Sequence, residues 1–459
     1  MHRREMSIKK LRTIGIALVI LILLVSSAAA EEQTEYTLSD LLKQAMQSNH
    51  SLLAQIEEMK AKQAVAVGAR GLAGPYIELN GGYLKQGEPT GLIPAHDRSI
   101  PAVFDDTMTS YSLTARQVLY DDGKTKSLIR YQDREMDLQE ANVYKEKLRV
   151  AGDVTKSFYR ILQLEDTIKA QIEIIRSLDN VYEESKLRLE VGRIAEVDVM
   201  QVEAQIAVEK EKLARYHGQL DAQVSALKSF LGIDLPDSFH LVGQLTDYTP
   251  AFSITEASLS SNTELYKATL RKQQAGDLLQ AAKADKSIRI TLNGDYSQKL
   301  LGQGSTDEMW TIGVNAKLPI FDGGVIAANI RQSSEQVARA NEQYEQVLAD
   351  IKTADTTYRD NITSAIARVE AALKAWKRAE EVYRIQTLSY QAGRASATEM
   401  LVAQSTAANA QTAYYQAVYD RIEAEVNLAV LYGEMPFKMS SEIVKIDKQG
   451  GDGYAPHKN

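Results

Sequence analysis

Two carboxylates, Asp198 and Glu399, each stand six residues after a glycine, Gly192 and Gly393. Each glycine is followed by an arginine and preceded by a small apolar residue, Val191-Gly192-Arg193 in one place and Ala392-Gly393-Arg394 in the other. Glycine suits the left-handed turn that ends a helix, and an acid in the first turn of the next helix is favoured by its dipole by about 0.3–1 kcal/mol. The two sites therefore read as helix-to-helix tips whose acids start the returning helices. Repeated around an axis, the same acids would form a ring that concentrates cations and holds a di- or trivalent ion where carboxylate oxygens converge. Catalytic chemistry is harder to find. The six histidines, His2, His50, His96, His217, His240 and His457, are far apart, and there is no cysteine nucleophile, P-loop or nucleophile elbow. Gly68, Gly71 and Gly74 precede a strand instead of following one, so they predict a turn and not a phosphate cradle. No cofactor and no structural metal site are expected.

The tips need long helices behind them. From Lys124 to Val191 there is no proline, and Val154, Ile161, Ile168, Ile175, Tyr182 and Leu189 recur every seven residues. Ile362, Val369, Trp376, Tyr383 and Tyr390 keep the same period, as do Val199, Ile206, Leu213, Leu220 and Leu227. Sustained heptads mean coiled-coil packing. Glu165, Asp179 and Lys186 interrupt the stripe, which predicts broad, partly polar contact on two sides of the helix.

Other segments have a period of two. Ile77, Leu79, Gly81 and Tyr83 alternate with polar or small residues, as do Tyr111, Leu113 and Ala115. The same holds for Ile288, Ile290, Leu292, Gly294 and Tyr296, and for Trp310, Ile312, Val314, Ala316 and Leu318. Four strands with one apolar face fit either a soluble antiparallel sheet packed on a core, which the strand pattern alone favours, or a barrel with lipid outside and water inside. Four cannot close one, since about eight strands are needed before a side-chain-filled interior fits, and open edges are not tolerated in lipid. Three chains sharing twelve strands would solve both problems, and the same operation would gather the helices into a second ring.

The whole pattern occurs twice. Asn49 recurs as Asn262, and Leu79-Asn80-Gly81 as Leu292-Asn293-Gly294, at a separation of 213. From Tyr120-Asp121 and Phe321-Asp322 onward the separation is 201, through Leu231-Gly232 and Tyr432-Gly433. The 12-residue surplus of the first copy falls in the proline-rich stretch 87–106, read as a solvated loop. The expected divisions are a first repeat over 31–235, with strands about 75–85 and 109–119 and helices about 123–191 and 198–232, and a linker over 236–250. A second repeat follows over 251–435, with strands about 287–297 and 309–320 and helices about 324–391 and 399–432, then a tail over 436–459.

Ahead of these, Arg3, Arg4, Lys9, Lys10 and Arg12 precede an apolar run closing on Ala28-Ala29-Ala30, the pattern of a cleaved secretory signal over residues 1–30. Its removal takes the formal charge from −8 to −12, so the exported chain has no basic excess with which to hold nucleic acid. Without cysteine, stability must come from packing or from association.

In their order, duplication and spacing, these motifs resemble the TolC-like outer-membrane efflux proteins over residues 36–435. The carriers are Ala45-Met46-Gln47-Ser48-Asn49, the turns Tyr120-Asp121-Asp122-Gly123 and Phe321-Asp322-Gly323-Gly324, and the two tips. The resemblance implies a mainly helical homotrimer with a 12-stranded β-barrel in the outer membrane of a Gram-negative bacterium and a long α-helical coiled-coil barrel in the periplasm. It implies the exit duct of a tripartite efflux pump or type I secretion system, with a periplasmic adaptor and an inner-membrane pump as partners, and no enzyme activity. It also implies a periplasmic gate closed like an iris, lined by acids and held by a tyrosine and an arginine. Tyr390 matches the tyrosine. Ala395 stands where the arginine would align, which leaves Arg394 or Arg193 to substitute. Val191, Gly192, Ala392 and Gly393 become the adaptor-docking turns. The alternative is a periplasmic coiled-coil adaptor or structural envelope protein, although such adaptors usually carry one hairpin and not two.

Overall fold

The computed structural model describes residues 35–85, 87, 107–236, 239–250, 259–301 and 306–437. The signal over 1–30, all of the loop 87–106 except Gly87, and most of the tail lie outside them. In chain order the elements are β1 (Glu35–Tyr36), α1 (Leu38–Ser48), α2 (His50–Gly71), β2 (Tyr76–Lys85), β3 (Thr107–Tyr120), α3 (Lys124–Glu190) and α4 (Glu196–Leu231). Then come β4 (His240–Leu241), α5 (Thr263–Ala284), β5 (Arg289–Leu301), β6 (Thr306–Lys317), α6 (Val325–Gln391) and α7 (Ala397–Leu431).

Four of the strands form an antiparallel sheet in the order β2-β3-β5-β6. Its register aligns the alternating residues into rows that cross all four strands. Leu79 pairs with Leu113, Leu113 with Tyr296 and Tyr296 with Trp310; one row along, Ile77, Ala115, Gly294 and Ile312 are matched in the same way. The neighbouring rows, such as Glu78, Thr114, Asp295 and Thr311, face the other way. The apolar face is bare in one chain, with Leu79 and Ile312 each 74% exposed. β6 stops at Lys317, short of the expected 320, because Pro319 has no N–H for the ladder. Among the described residues, no helix is long and apolar enough to cross a membrane.

The long helices α3 and α6 have 67 residues each, on the order of 100 Å. Both begin at the same kind of turn. The Asp121 carboxylate accepts from Thr125 N at 2.8 Å and that of Asp322 from Gly324 N at 3.0 Å, while Gly123 and Gly324 take φ of +78° and +89°. α3 is the organising element. Val154, Ile161, Ile168 and Ile175 are buried, as are the polar residues Gln163, Thr167, Gln171 and Ser185 of the same helix. Such mixed burial on several sides fits its contacts with α1, α2, α4, α5 and α7. In contrast, α6 leaves Ile366, Val382, Ile385 and Leu388 about half exposed.

The main core lies midway along α3, where Leu41 and Leu42 of α1, Leu227 and Leu231 of α4, and Ile422 and Val426 of α7 meet. The segment 236–250, expected as a linker, is packed where it is described. β4 pairs in parallel with β1, and Leu241, Leu245 and Tyr248 are buried in the core. Tyr159 and Tyr248 meet edge to face at 5.3 Å, and burial pushes the Tyr159 phenol up to about 12, so it stays neutral.

Two joints tie the return helices to the helices that start each run. Asn49 accepts from Leu52 N at 2.9 Å to cap α2, and its amide donates to Phe230 O at 2.8 Å. Asn262 caps α5 through Leu265 N at 2.9 Å and donates to Leu431 O at 2.6 Å. Beside these asparagines, Gly232 and Gly433 pass so close that an added Cβ would meet Ser48 O at 2.3 Å and Ser261 O at 2.5 Å. Nearer the sheet, α5 is clamped to α3: Asp277, 6% exposed, accepts from Arg130 Nε at 2.7 Å and Arg134 Nε at 2.6 Å. Gly68 and Gly71 lie inside α2, so the turn before β2 is shorter than the three glycines suggest and is made around Gly74.

Candidate functional site

The two tips have the same backbone geometry. Gly192 takes φ +68°, with Gly192 N donating to Leu189 O at 2.9 Å and Arg193 N to Arg188 O at 2.9 Å. Gly393 takes φ +70°, with Gly393 N donating to Tyr390 O at 3.0 Å and Arg394 N to Ser389 O at 2.8 Å. The bonds satisfy carbonyls that a helix end otherwise leaves open. Val191, Gly192, Ala392 and Gly393 are all exposed.

The acids sit at the starts of the return helices. Glu399 makes a full capping box with Ser396: its carboxylate accepts from Ser396 N at 2.8 Å, and Glu399 N donates to Ser396 Oγ at 3.2 Å. Asp198 makes only half of one. Its carboxylate accepts from Ala195 N at 3.3 Å, and alanine has no oxygen to return the bond. Each acid therefore has the local role expected of it. Among the described residues, no three His, Asp or Glu side chains of one chain stand close enough to hold a metal ion.

Behind the turns, a small apolar cluster of Leu178, Val181, Val202, Ile206, Met400 and Leu401 joins the two hairpins, and Tyr390 belongs to it at 4% exposure. The Tyr390 hydroxyl shares a hydrogen bond with Ser185 Oγ at 2.8 Å. One heptad back, Tyr383 and Ser177 are paired at 3.0 Å. The arginine that meets Tyr390 is Arg188. Its Nη1 donates to Tyr390 O at 3.0 Å and its Nη2 to Gln391 O at 2.8 Å, and its guanidinium lies 5.3 Å from the Tyr390 ring centre. Glu184 holds the guanidinium from the other side at 2.5 Å. Arg193 and Arg394 have no ion pair or hydrogen-bond partner among the described side chains and project from the turns. Ala395 packs half-buried against the apolar cluster. Sequence reasoning missed Arg188 and Ser185, because a basic residue in a last helical turn reads first as a dipole partner and a serine in a heptad as a flaw in the stripe.

The family model for outer membrane efflux proteins matches residues 41–233 and 254–434. Outer membrane protein TolC of Vibrio cholerae is 23% identical over 419 residues, covering 87% of this chain and 91% of that protein. TolC of Escherichia coli is 21% identical over 354 residues, covering 71% and 70%. Among solved structures, the outer membrane protein VceC of Vibrio cholerae has a TM-score of 0.75 at 18% identity, covering 86% of this chain and 96% of its own. The CmeC outer membrane channel of Campylobacter jejuni has a TM-score of 0.74 at 18% identity, covering 90% and 89%. The likeness to these structures concerns the fold. Because the matched segments span both tips, both long helices and the whole four-stranded sheet, the chain belongs to the outer membrane efflux protein family.

Proposed function

We propose that three copies of this chain form a single exit duct, with a twelve-stranded barrel in the outer membrane continued by a helical barrel in the periplasm. The family is one of transport proteins of the outer membrane, and the reading as a free periplasmic adaptor or envelope scaffold is not favoured. One relative, 21% identical, is the protease secretion protein PrtF of Dickeya chrysanthemi, which extends the proposed role from efflux to secretion. The observation that carries the trimer is the sheet itself. Its β2 and β6 edges are unpaired and its apolar rows are bare, a combination that is costly in lipid until further copies close the ring. The uncovered stripe of α6 supports the same closure in the helical part. Native mass measurement of the detergent-solubilised protein is expected to give a trimer, and planar bilayers are expected to show pores. A stable monomer in detergent would refute this assembly.

In the trimer, Asp198 and Glu399 become six carboxylates at the narrow periplasmic mouth. A ring of one sign between low-dielectric walls favours cations, and salt weakens the effect. The variant Asp198→Asn with Glu399→Gln keeps the capping oxygens and so should fold normally. It is expected to lose most of its cation preference and its block by multivalent cations in bilayer recordings. If both persist, the acids are caps alone.

The exposed turns around Gly192 and Gly393, with Arg193 and Arg394 beside them, are the proposed docking surface for a periplasmic adaptor. A Cβ added at either glycine meets no atom within 4 Å, so the backbone strain of an L-residue there is only about 1–2 kcal/mol. Tryptophan at both positions is expected to abolish export while trimers persist in the membrane. Export that survives both changes places docking elsewhere.

A further inference from the structure

Back from the tips, α3, α6 and α7 enclose a cleft of 540 Å³, within the size range of small-molecule sites. Trp376, Tyr383 and Tyr415 supply aromatic walls. Asp166, Glu173 and Glu380 line it against a single base, Lys169, so the charge of the lining is negative. The wall also contains Gln404, only 2% exposed, whose Oε1 and Nε2 both lack a hydrogen-bond partner. Leaving a buried amide unpaired costs about 1–3 kcal/mol, and a core position with no polar partner is better filled by leucine. Neither the apolar cluster at the tips nor the joints at Asn49 and Asn262 involve this residue.

We propose that this cleft binds a flat aromatic cation carrying a ring amino group. Aromatic faces and carboxylates together attract a cation, and they do so more strongly when water is displaced. The amino group donates to Gln404 Oε1 and so satisfies an acceptor that the fold leaves open. A molecule seated there touches the first helical hairpin and the second at once, so its binding stabilises their packing by mass action. All of its lining residues belong to one chain.

The chain has two tryptophans, Trp310 in β6 and Trp376 in the cleft, so Trp310→Phe leaves Trp376 as the only indole reporter. In that background, with the full assembly in detergent, proflavine is expected to quench Trp376 saturably. Acridine at alkaline pH, where it is neutral, should bind at least fivefold more weakly. Glu173→Gln with Glu380→Gln should weaken proflavine about fivefold, and less so in high salt, because both groups are near the surface. Gln404→Leu should weaken proflavine about tenfold and leave 10-methylacridinium, which has no amino group, unchanged. Circular dichroism melts check that each variant folds, and Gln404→Leu should melt no lower than its parent. Absence of saturable quenching, equal binding of neutral acridine, or proflavine affinity unaffected by Gln404→Leu overturns the proposal. So does quenching seen only after the assembly is dissociated, since a second copy would then fill the cleft.

Discussion

Gly232→Ala combined with Gly433→Ala is expected to leave little folded protein. At both positions the new Cβ would press on a backbone carbonyl oxygen, Ser48 O at 2.3 Å and Ser261 O at 2.5 Å, and no rotamer change can relieve a backbone contact. Both glycines are also in the left-handed region, at φ +69° and +74°. Strain of about 1–2 kcal/mol applies wherever an L-residue takes that conformation. The clash comes on top, so each substitution should cost roughly 3 kcal/mol or more. Gly192→Ala separates the two contributions, since it has φ +68° but open space around its Cβ. Thermal melts followed by helical circular dichroism should show a small loss for Gly192→Ala and a large one, or failure to accumulate, for the joint variants. Equal melting temperatures would remove the joints from any account of stability.

Arg188→Ala together with Tyr390→Phe is expected to raise the resting conductance of the pore severalfold. The change removes two charge-assisted bonds to the Tyr390 and Gln391 carbonyls and the Tyr390–Ser185 link. At about 1.5–3 kcal/mol for bonds to a charged group and about 1 kcal/mol for a neutral one, these links would, in the proposed gate, bias the tips toward the closed arrangement by enough to shift its population at least tenfold. Tyr390→Phe keeps the ring in its apolar cluster, so the fold should hold. Single-channel recordings that show unchanged conductance would mean that the links are structural and the constriction is set elsewhere. Serine at Ser185 and glutamate at Glu184 stay in place, which keeps the comparison to two side chains.

The helices are legible in the sequence because burial imposes a heptad period on them, and the strands because one apolar face imposes a period of two. The heptads at Val154 to Ile175 and at Ile362 to Tyr390 mark the seams, and Leu79, Leu113, Tyr296 and Trp310 fall into one row because alternation and register agree. The repeated spacing of Asn49 with Asn262 and of Gly232 with Gly433 is also legible, but its meaning is not. Only in three dimensions do the asparagines prove to clip the chain beside those glycines. The site was half readable. Gly192, Gly393, Asp198 and Glu399 carry local rules of turn and cap, which a short stretch of sequence contains. Arg188 and Ser185 act across helices some two hundred residues apart, and no local pattern distinguishes them from ordinary surface and seam residues. The packing of Leu241, Leu245 and Tyr248 was hidden for a related reason: three apolar residues in an irregular segment have no period to read.

The two bare edges, β2 and β6, govern how the protein can be made. In the proposed assembly a lone sheet with unpaired amides and carbonyls would have no stable place in a bilayer, so insertion would not precede association. The two would become one event whose rate rises steeply with the concentration of exported chains. At low expression the limiting step is encounter, and the waiting chain depends on whatever shields its edges in the periplasm. At high expression the same edges invite pairing in the wrong register or number, so overproduction is expected to yield aggregates of strand-rich character sooner than a surplus of ducts.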